Sequence, residues 1–294
     1  MTMHPRELPK LRAQTVQRIA ALNLDDGESP AMGPAEDDTV RRMLAHLRNA
    51  ELYWISDDMT ALAMHAGQSL AAARWATVDR PSPVGLAVFD GGLGMVDISA
   101  GLSAPVHALA WGPGPDHTMI VWHLMRGDRF FAGLPAPLPG RRPPFVVVRE
   151  ARLPVTEDPI ALDDLPAHEG MRPSRPIVAA LAASWNLMQQ PQLAETARQE
   201  PKKVEARALR RASMPTFGVT LVALRRQFQP ANRESGVDTD GRHYRRRWVV
   251  SGHWRSQPHG PDRSLRRQQW IPSHVKGPDG APLMSTERVN VWRR

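Results

Sequence analysis

The 294-residue sequence contains no cysteine. That absence excludes disulfide bonds, thiolate zinc sites and cysteine nucleophiles together. Long apolar runs are also absent, since no stretch approaches the roughly 20 residues that a membrane-spanning helix needs, and the N-terminus lacks the pattern of a signal peptide. The sequence therefore predicts a cytoplasmic protein with no membrane partner.

Lysine is scarce, because only four of the 38 basic residues are lysines and the rest are arginines. Arginine abundance of this kind follows the base composition of a GC-rich genome, so arginine identity alone is no evidence of bidentate recognition. The position of the charge is more informative. From residue 201 onward the chain has 20 Lys and Arg against seven Asp and Glu, a balance of +13, whereas residues 1–200 have a balance of −5. A basic C-terminal third indicates a polyanionic partner, most often nucleic acid.

Sequence signatures of cofactor-dependent or hydrolytic enzymes are missing. Nothing resembles a Walker motif, a dinucleotide fingerprint or a His-Glu-x-x-His helix, and Ser251-Gly252 lacks the flanking glycine of a nucleophile elbow. We expect no cofactor and favour a protein that is not an enzyme.

The pattern of apolar residues predicts an α+β fold. Two helices are expected between Asp37 and Leu70. Trp54 extends the apolar stripe of the first, the second begins at Ser56, and a further strong helix begins at Ser174. Four strands follow one another without intervening helices, at residues 84–89, 106–111, 118–125 and 145–149. Such a succession predicts an antiparallel sheet packed on the preceding helices.

Composition predicts four regions along the chain. They are a weakly ordered arm (1–36), an α+β body (37–200), a basic linker helix with a strand and a mobile loop (201–241), and a small basic Trp-rich β module (242–294).

The β module is organised around a predicted strand from Tyr244 to Arg255. Alternation places a mostly apolar set on one face: Tyr244, Arg246, Trp248, Val250 and Trp254. The other face carries mainly cationic and polar donors: Arg245, Arg247, Ser251, His253 and Arg255. A half-buried antiparallel strand with a cationic wet face is typical of an anion-binding surface.

Arginine and tryptophan together suit single-stranded nucleic acid, because arginine neutralises phosphates and aromatic rings stack on bases. The predicted nucleic-acid contacts are Arg245, Arg247, His253, Arg255, Arg266, Arg267, Trp270 and Lys276, with RNA preferred over DNA. The alternative interpretation, that the tryptophans form the core of a small sheet, is preferred for Trp248 and Trp254.

Two other functions stay open. A metal-independent ribonuclease would use His253 and His274 as general base and acid, with Arg255 or Lys276 stabilising the developing charge. A protein-binding adaptor would present its basic face to the ribosome or to an acidic protein. A metal site is not expected, because the four C-terminal histidines are irregularly spaced and no carboxylate pair accompanies them.

Short sequence blocks near the C-terminus carry a resemblance: Gly252–Gln257, Trp270–Pro272, Lys276–Pro278 and Glu287–Arg293. They resemble a C-terminal module of uncharacterised actinobacterial and mobile-element proteins, which are also similar to this chain around Tyr53–Leu70 and Pro81–Leu86. A similar module ends a type V anti-CRISPR family that lowers the messenger RNA of its target effector. The resemblance implies regulatory, RNA- or translation-associated action and transfers no catalytic residue.

Overall fold

The computed structural model describes residues 3–25, 34–68, 74–99, 101–132, 142–156, 160–168, 172–225, 248–272 and 274–276. The chain divides into two compact units, unit 1 (Met1–Arg225) and unit 2 (Arg226–Arg294).

The helices of unit 1 begin where local chemistry favours a start. In chain order they are α1 (Leu8–Asp25), α2 (Pro34–Asn49), α3 (Asp57–Gln68), α4 (Gly127–Phe130), α5 (Arg175–Met188) and α6 (Lys203–Arg211). The hydroxyl of Ser56 accepts a hydrogen bond from the backbone N–H of Met59 at 3.4 Å, which caps α3. A proline lies in the first turn of α5, where its missing N–H has no helical partner to lose. The helices predicted to start at Ser56 and Ser174 are confirmed.

Most strands of unit 1 belong to one sheet. In chain order they are β1 (Glu51–Ile55), β2 (Arg74–Trp75), β3 (Gly85–Phe89), β4 (Met95–Ser99), β5 (Leu102–Pro105), β6 (Ala108–Pro113), β7 (Thr118–Arg126), β8 (Phe145–Pro154), β9 (Ile160–Ala161), β10 (Ala194–Gln199) and β11 (Val219–Leu224). The main sheet has seven strands in the order β10-β11-β1-β3-β6-β7-β8. Two short pairs, β2 with β9 and β4 with β5, accompany it.

The main sheet is mixed. From β3 to β8 the pairing is antiparallel, as the succession of strands predicts. β1, in contrast, runs parallel to both β3 and β11. The connection from β1 to β3 contains α3, and a helical crossover is what parallel neighbours require. The α+β class and the antiparallel pairing of the four predicted strands are confirmed. The parallel strand β1 was not predicted.

Alternation along β1 supplies side chains to both faces of the sheet. Leu52 and Trp54 join the cluster that packs under α1, α2 and α6, together with Leu47, Leu86, Val88, Ala110, Ile120, Trp122, Phe145, Leu209 and Val219. Trp54 therefore belongs to a strand and does not extend the apolar stripe of α2. The run Tyr53–Ile55 consists of two aromatic residues and one β-branched residue, a composition that favours a strand.

The opposite face of the sheet is covered by α3 and α5, with a group of aromatic rings packed between them and the sheet. Trp185 of α5 lies with its ring centroid 5.3 Å from those of both Trp75 and Trp111. The Trp111 indole donates to the carbonyl of Ser82 at 2.9 Å. Gly85 lies flat against the Trp111 ring, so that any Cβ there would collide with it. The tryptophan on α5 is thus a core residue, as its helical spacing predicts.

The N-terminal segment differs from the weakly ordered arm predicted for residues 1–36. Helix α1 buries three apolar side chains in unit 1: Leu8, Ala13 and Val16. The fully buried guanidinium of Arg12 donates to the carbonyls of Ala50 at 3.0 Å and Pro215 at 2.6 Å. It also lies 5.6 Å from the ring centroid of Phe217. The prediction failed because a charged residue that serves buried carbonyls is indistinguishable from a solvated one in the sequence.

Residues 201–225 are an integral part of unit 1. Strand β11 lies between β1 and β10, and Leu209 of α6 is buried in the same cluster as α1. A division after residue 200, as the predicted linker requires, would remove an internal strand of the sheet. The loop predicted for residues 233–241 lies outside the described residues.

The described residues of unit 2, 248–272 and 274–276, form two separate strand pairs. Strand β12 (Trp248–Val250) pairs antiparallel with β15 (His274–Lys276), and β13 (His253–His259) pairs antiparallel with β14 (Leu265–Ile271). The predicted continuous strand from Tyr244 to Arg255 is therefore wrong, because it is interrupted at Ser251-Gly252. A Cβ at Gly252 would lie 2.5 Å from the Trp270 ring, so this close approach depends on glycine.

Candidate nucleic-acid interface

The β13–β14 hairpin separates its side chains into two sets. Residues directly opposite in an antiparallel pair share a face. The register pairs Trp254 with Trp270 on one face. On the other it pairs His253 with Ile271 and Arg255 with Gln269. The two faces predicted from alternation are thus present within the hairpin, although they do not extend back through residue 251.

His253 and Arg255 are both exposed, two residues apart on the same face of β13. Gln257 and His259 continue this row, and Gln269 lies across from Arg255. Within the described residues no ion pair involves Arg255. The row His253, Arg255, Gln257 and His259, called the donor row below, offers hydrogen-bond donors and one fixed positive charge to solvent.

The opposite face is the packed side of the hairpin. The Trp254 and Trp270 rings meet edge to face, with centroids 5.3 Å apart. Trp270 is only 2% exposed, whereas Trp254 is half-buried. Trp270 is therefore a core residue, and the structure does not support its predicted role as a base-stacking ring. The sequence alone did not reveal this burial, because the strand of Trp270 also carries arginines.

The hairpin turn carries further positive charge. Gly260 has a φ of 75°, a left-handed conformation that suits glycine, and the short 3-10 turn Pro261–Arg263 follows it. Arg266 is exposed, and its guanidinium donates to the carbonyl of Arg263 at 2.7 Å. Arg266 pairs in register with Pro258, so it belongs to the face opposite the donor row. The predicted contacts are consequently divided between one face and the turn.

Several predicted site residues have no described side chain. These are Arg245 and Arg247, whose positions are not described, and Arg267, His274 and Lys276, for which the backbone alone is described. The register places Arg267 opposite Gln257 and Lys276 opposite Trp248. Their proposed roles rest on the sequence.

Charge is distributed unequally between the two units. Residues 226–294 contain 14 Lys and Arg against six Asp and Glu, a balance of +8 that equals the net charge of the whole chain. Unit 1 is therefore neutral overall. The exposed donor row thus belongs to the unit that carries the whole excess of positive charge.

His253 is held by its own strand. Its Nδ1 lies 3.1 Å from the carbonyl oxygen of Ser251, which can only accept, so Nδ1 carries the proton. In the neutral ring Nε2 then has the free lone pair. This tautomer suits either a hydrogen-bond acceptor or a general base, but no second acid or base is described beside it. The described residues also contain no group of three or more His, Asp or Glu side chains that could hold a metal ion.

The perturbed histidines lie in unit 1 and are structural. Burial lowers the pKa of His46 to about 4 and that of His123 to about 4. His46 accepts from the Trp122 indole at 3.1 Å, and His123 contacts the carbonyl of Arg149 at 3.3 Å. Both rings are neutral near pH 7 and serve core hydrogen bonds.

A small cavity beside β8 does not resemble an active site. It has a volume of about 20 Å³, enough for about one water molecule, and is lined by Arg149, Arg152, His168 and Arg172. The Arg149 guanidinium is already bound to the carbonyls of Asp97 at 2.6 Å and Arg172 at 2.7 Å. This cluster joins β8 to the neighbouring segments rather than presenting charge to a ligand.

The fold and the hairpin define an α+β protein in which a neutral three-layer unit is followed by a small basic β unit. Residues 167–274 match the model of the Anti-CRISPR type V subtype A2 family. The match covers somewhat more than a third of the chain and runs from α5 through α6 and β11 to the β13–β14 hairpin. Similarity to a type V anti-CRISPR family is thus confirmed, while the short C-terminal sequence blocks stay a prediction. No curated protein matches the chain.

A family of anti-CRISPR proteins is compatible with a regulatory role on a mobile element. Among the described residues, no helix combines the length and the apolar character needed to cross a membrane.

Proposed function

We propose that the protein is a cytoplasmic regulator of mobile-element type that binds nucleic acid, RNA in preference to DNA, through unit 2. The observation that carries the proposal is the donor row of β13, in which His253 and Arg255 are exposed beside each other and have no acidic partner among the described residues. Arg266 adds an exposed guanidinium at the hairpin turn, and the sequence adds Arg245, Arg247, Arg267 and Lys276.

Phosphate contacts of this kind supply affinity rather than sequence recognition. Because Trp270 is buried, the half-buried Trp254 is the one described tryptophan of unit 2 to which base stacking is assigned. We therefore expect weak sequence preference and a steep dependence of affinity on salt. The anti-CRISPR similarity supports regulation of a foreign effector, and RNA is a ligand through which an effector's expression can be regulated.

The test uses the full-length protein and a short labelled single-stranded RNA, with single-stranded and duplex DNA of the same sequence for comparison. Arg255→Gln should weaken RNA binding and reduce the slope of log Kd against log salt by about 0.7, the effect of one lost phosphate contact. The matched control is Arg198→Gln, because Arg198 is an exposed arginine of unit 1 that pairs with Glu200 at 2.8 Å. Equal losses in the two variants, or no RNA binding by the unmodified protein, would contradict the proposal.

The ribonuclease alternative is kept because Ser251 fixes the tautomer of His253. It predicts cleavage of RNA that survives EDTA, peaks near neutral pH and falls by roughly two to four orders of magnitude in His253→Ala. A binder predicts no cleavage at any pH and a modest loss of affinity in the same variant. Labelled RNA incubated with the purified protein at several pH values separates the two.

A further inference from the structure

Helix α6 of unit 1 carries a cationic stripe. At 3.6 residues per turn, Lys203, Arg207 and Arg210 fall within an arc of about 60°, and they extend for about 10 Å along the helix. Arg211 adjoins the same arc. All four side chains are exposed, whereas Leu209 on the other side of the helix is buried in unit 1.

These four cations share one side of a single helix and have no acidic partner among the described residues. Several other arginines of unit 1 form ion pairs: Arg42 with Asp38, Arg126 with Asp128, Arg152 with Glu150, Arg175 with Asp163 and Arg198 with Glu200. Arg48 and Arg129 are exposed and have no ion pair among the described residues, but they lie on different helices, α2 and α4. Among the described residues, no ion pair involves the four cations of α6. The one acid of the helix, Glu205, lies on a different face and accepts from the backbone N–H of Lys202 at 2.9 Å.

An unpaired row of like charges is unfavourable by itself, because i,i+4 cations such as Lys203 and Arg207 repel each other. A solvated helix face normally mixes both signs of charge. A stripe of one sign on a unit whose charges sum to zero therefore suits an anionic ligand with charges repeated along its length. Arg210 and Arg211 lie in the last turn of α6, where the helix dipole favours cations. This favourable interaction partly offsets the repulsion among the four cations.

We infer that α6 is a second polyanion-binding surface, which takes the phosphate backbone of single-stranded RNA independently of the unit 2 hairpin. A membrane surface fits less well, because Val204 is the one large apolar side chain exposed on the helix and Ala208 offers little area for insertion. The inference rests on the proposed function for the identity of the ligand. It adds to that proposal a contact surface on unit 1, so that the chain would hold RNA at two places and gain avidity.

The experiment compares three full-length variants with the unmodified protein. The stripe variant is Lys203→Gln, Arg207→Gln, Arg210→Gln. The hairpin variant is Arg255→Gln, Arg266→Gln. The control, Arg48→Gln, Arg129→Gln, Arg198→Gln, removes the same three charges from exposed positions on other elements of unit 1. Glutamine is a good helix former, so the melting temperature should hardly change.

Binding of labelled single-stranded RNA is measured by fluorescence anisotropy across a salt series. The stripe variant should reduce the slope of log Kd against log salt by about two units, while the control leaves it unchanged. The hairpin variant should retain the part of the salt dependence that comes from the stripe. A variant that combines the stripe and hairpin substitutions should therefore have a smaller slope than either variant alone.

Each other outcome is decisive. RNA binding by the stripe variant equal to that of the unmodified protein overturns the inference and leaves the proposed function standing. Loss in the stripe variant without loss in the hairpin variant supports the inference and refutes the hairpin as the RNA site. No RNA binding at all overturns both, and binding of phosphatidylserine vesicles in place of RNA overturns the inference in favour of a membrane surface.

Discussion

Protonation of His46 should destabilise unit 1 below neutral pH. The Nδ1 of this buried ring accepts the indole N–H of Trp122 at 3.1 Å, so that bond requires an unprotonated Nδ1. Burial is the main cause that lowers the pKa of His46 to about 4; a hydrogen bond to the Pro113 backbone opposes this shift, and the charge of Arg42 adds to it. The ring is also confined, because a Cβ on Gly112 would lie 2.5 Å from it.

The magnitude follows from linkage. The folded-state pKa lies below the unfolded value of 6.5, so the unfolded chain binds the proton first as the pH falls. The contribution of His46 to stability is therefore complete above pH 6.5 and is lost as the pH approaches 4. Between pH 7.5 and 4.5 the two pKa values give a loss of about 2.5 kcal/mol from this residue alone.

His46→Asn is the informative variant, because the asparagine amide oxygen can replace Nδ1 as the acceptor for Trp122 but does not titrate. Urea unfolding at pH 7.5 and at pH 4.5 gives the free energy of unfolding for both proteins. The loss on acidification should be about 2.5 kcal/mol smaller in the variant. The contribution of His123, whose pKa is also lowered to about 4, is present in both proteins and cancels. Identical losses in the two proteins would refute the assignment of His46 as a buried neutral acceptor.

Two more predictions concern buried side chains that the sequence assigned otherwise. Trp270→Ala should lower the free energy of unfolding of unit 2 by about 3–5 kcal/mol, whereas Arg255→Ala should lower it by well under 1 kcal/mol. Thermal melts of the two variants test this. A larger loss for Arg255→Ala than for Trp270→Ala would mean that the buried and exposed faces of the hairpin are exchanged. Arg12→Met keeps the apolar stem but leaves the carbonyls of Ala50 and Pro215 without their hydrogen-bond donor. The free energy of unfolding, measured in urea, should therefore fall by about 3 kcal/mol or more. A decrease no larger than that of the exposed control Lys10→Met would contradict the role of Arg12.

Local patterns predicted the parts of the fold that are local. The antiparallel run β3, β6, β7 and β8 follows from successive apolar segments joined by turns, and α5 follows from its helical stripe. β1 was missed because its partners lie far apart in sequence, with residues 219–224 on one side and 85–89 on the other. The sequence of residues 51–55 alone does not indicate that this strand has two parallel neighbours.

The candidate site was predicted in part for a similar reason. Alternation correctly placed His253 and Arg255 in an exposed position, since two residues of one strand share a face. The burial of Trp270 depends on its cross-strand partner Trp254 and on the missing side chain at Gly252. Those contacts are set by the pairing register, which the sequence around residue 270 does not reveal. The cationic stripe on α6 was visible as a basic helix, but its assignment to unit 1 required β11 to be placed.

The internal position of β11 has a consequence for biosynthesis. β1 is complete once residue 55 is made, yet its parallel neighbour β11 is complete only at residue 224. At about 5–20 residues per second, one edge of β1 waits roughly 8–30 s on the ribosome for its partner. During that interval the nascent sheet presents an apolar, unpaired strand of the kind that recruits chaperones or other nascent chains. Translation speed through residues 56–224 is therefore a determinant of how much of this protein reaches its native state.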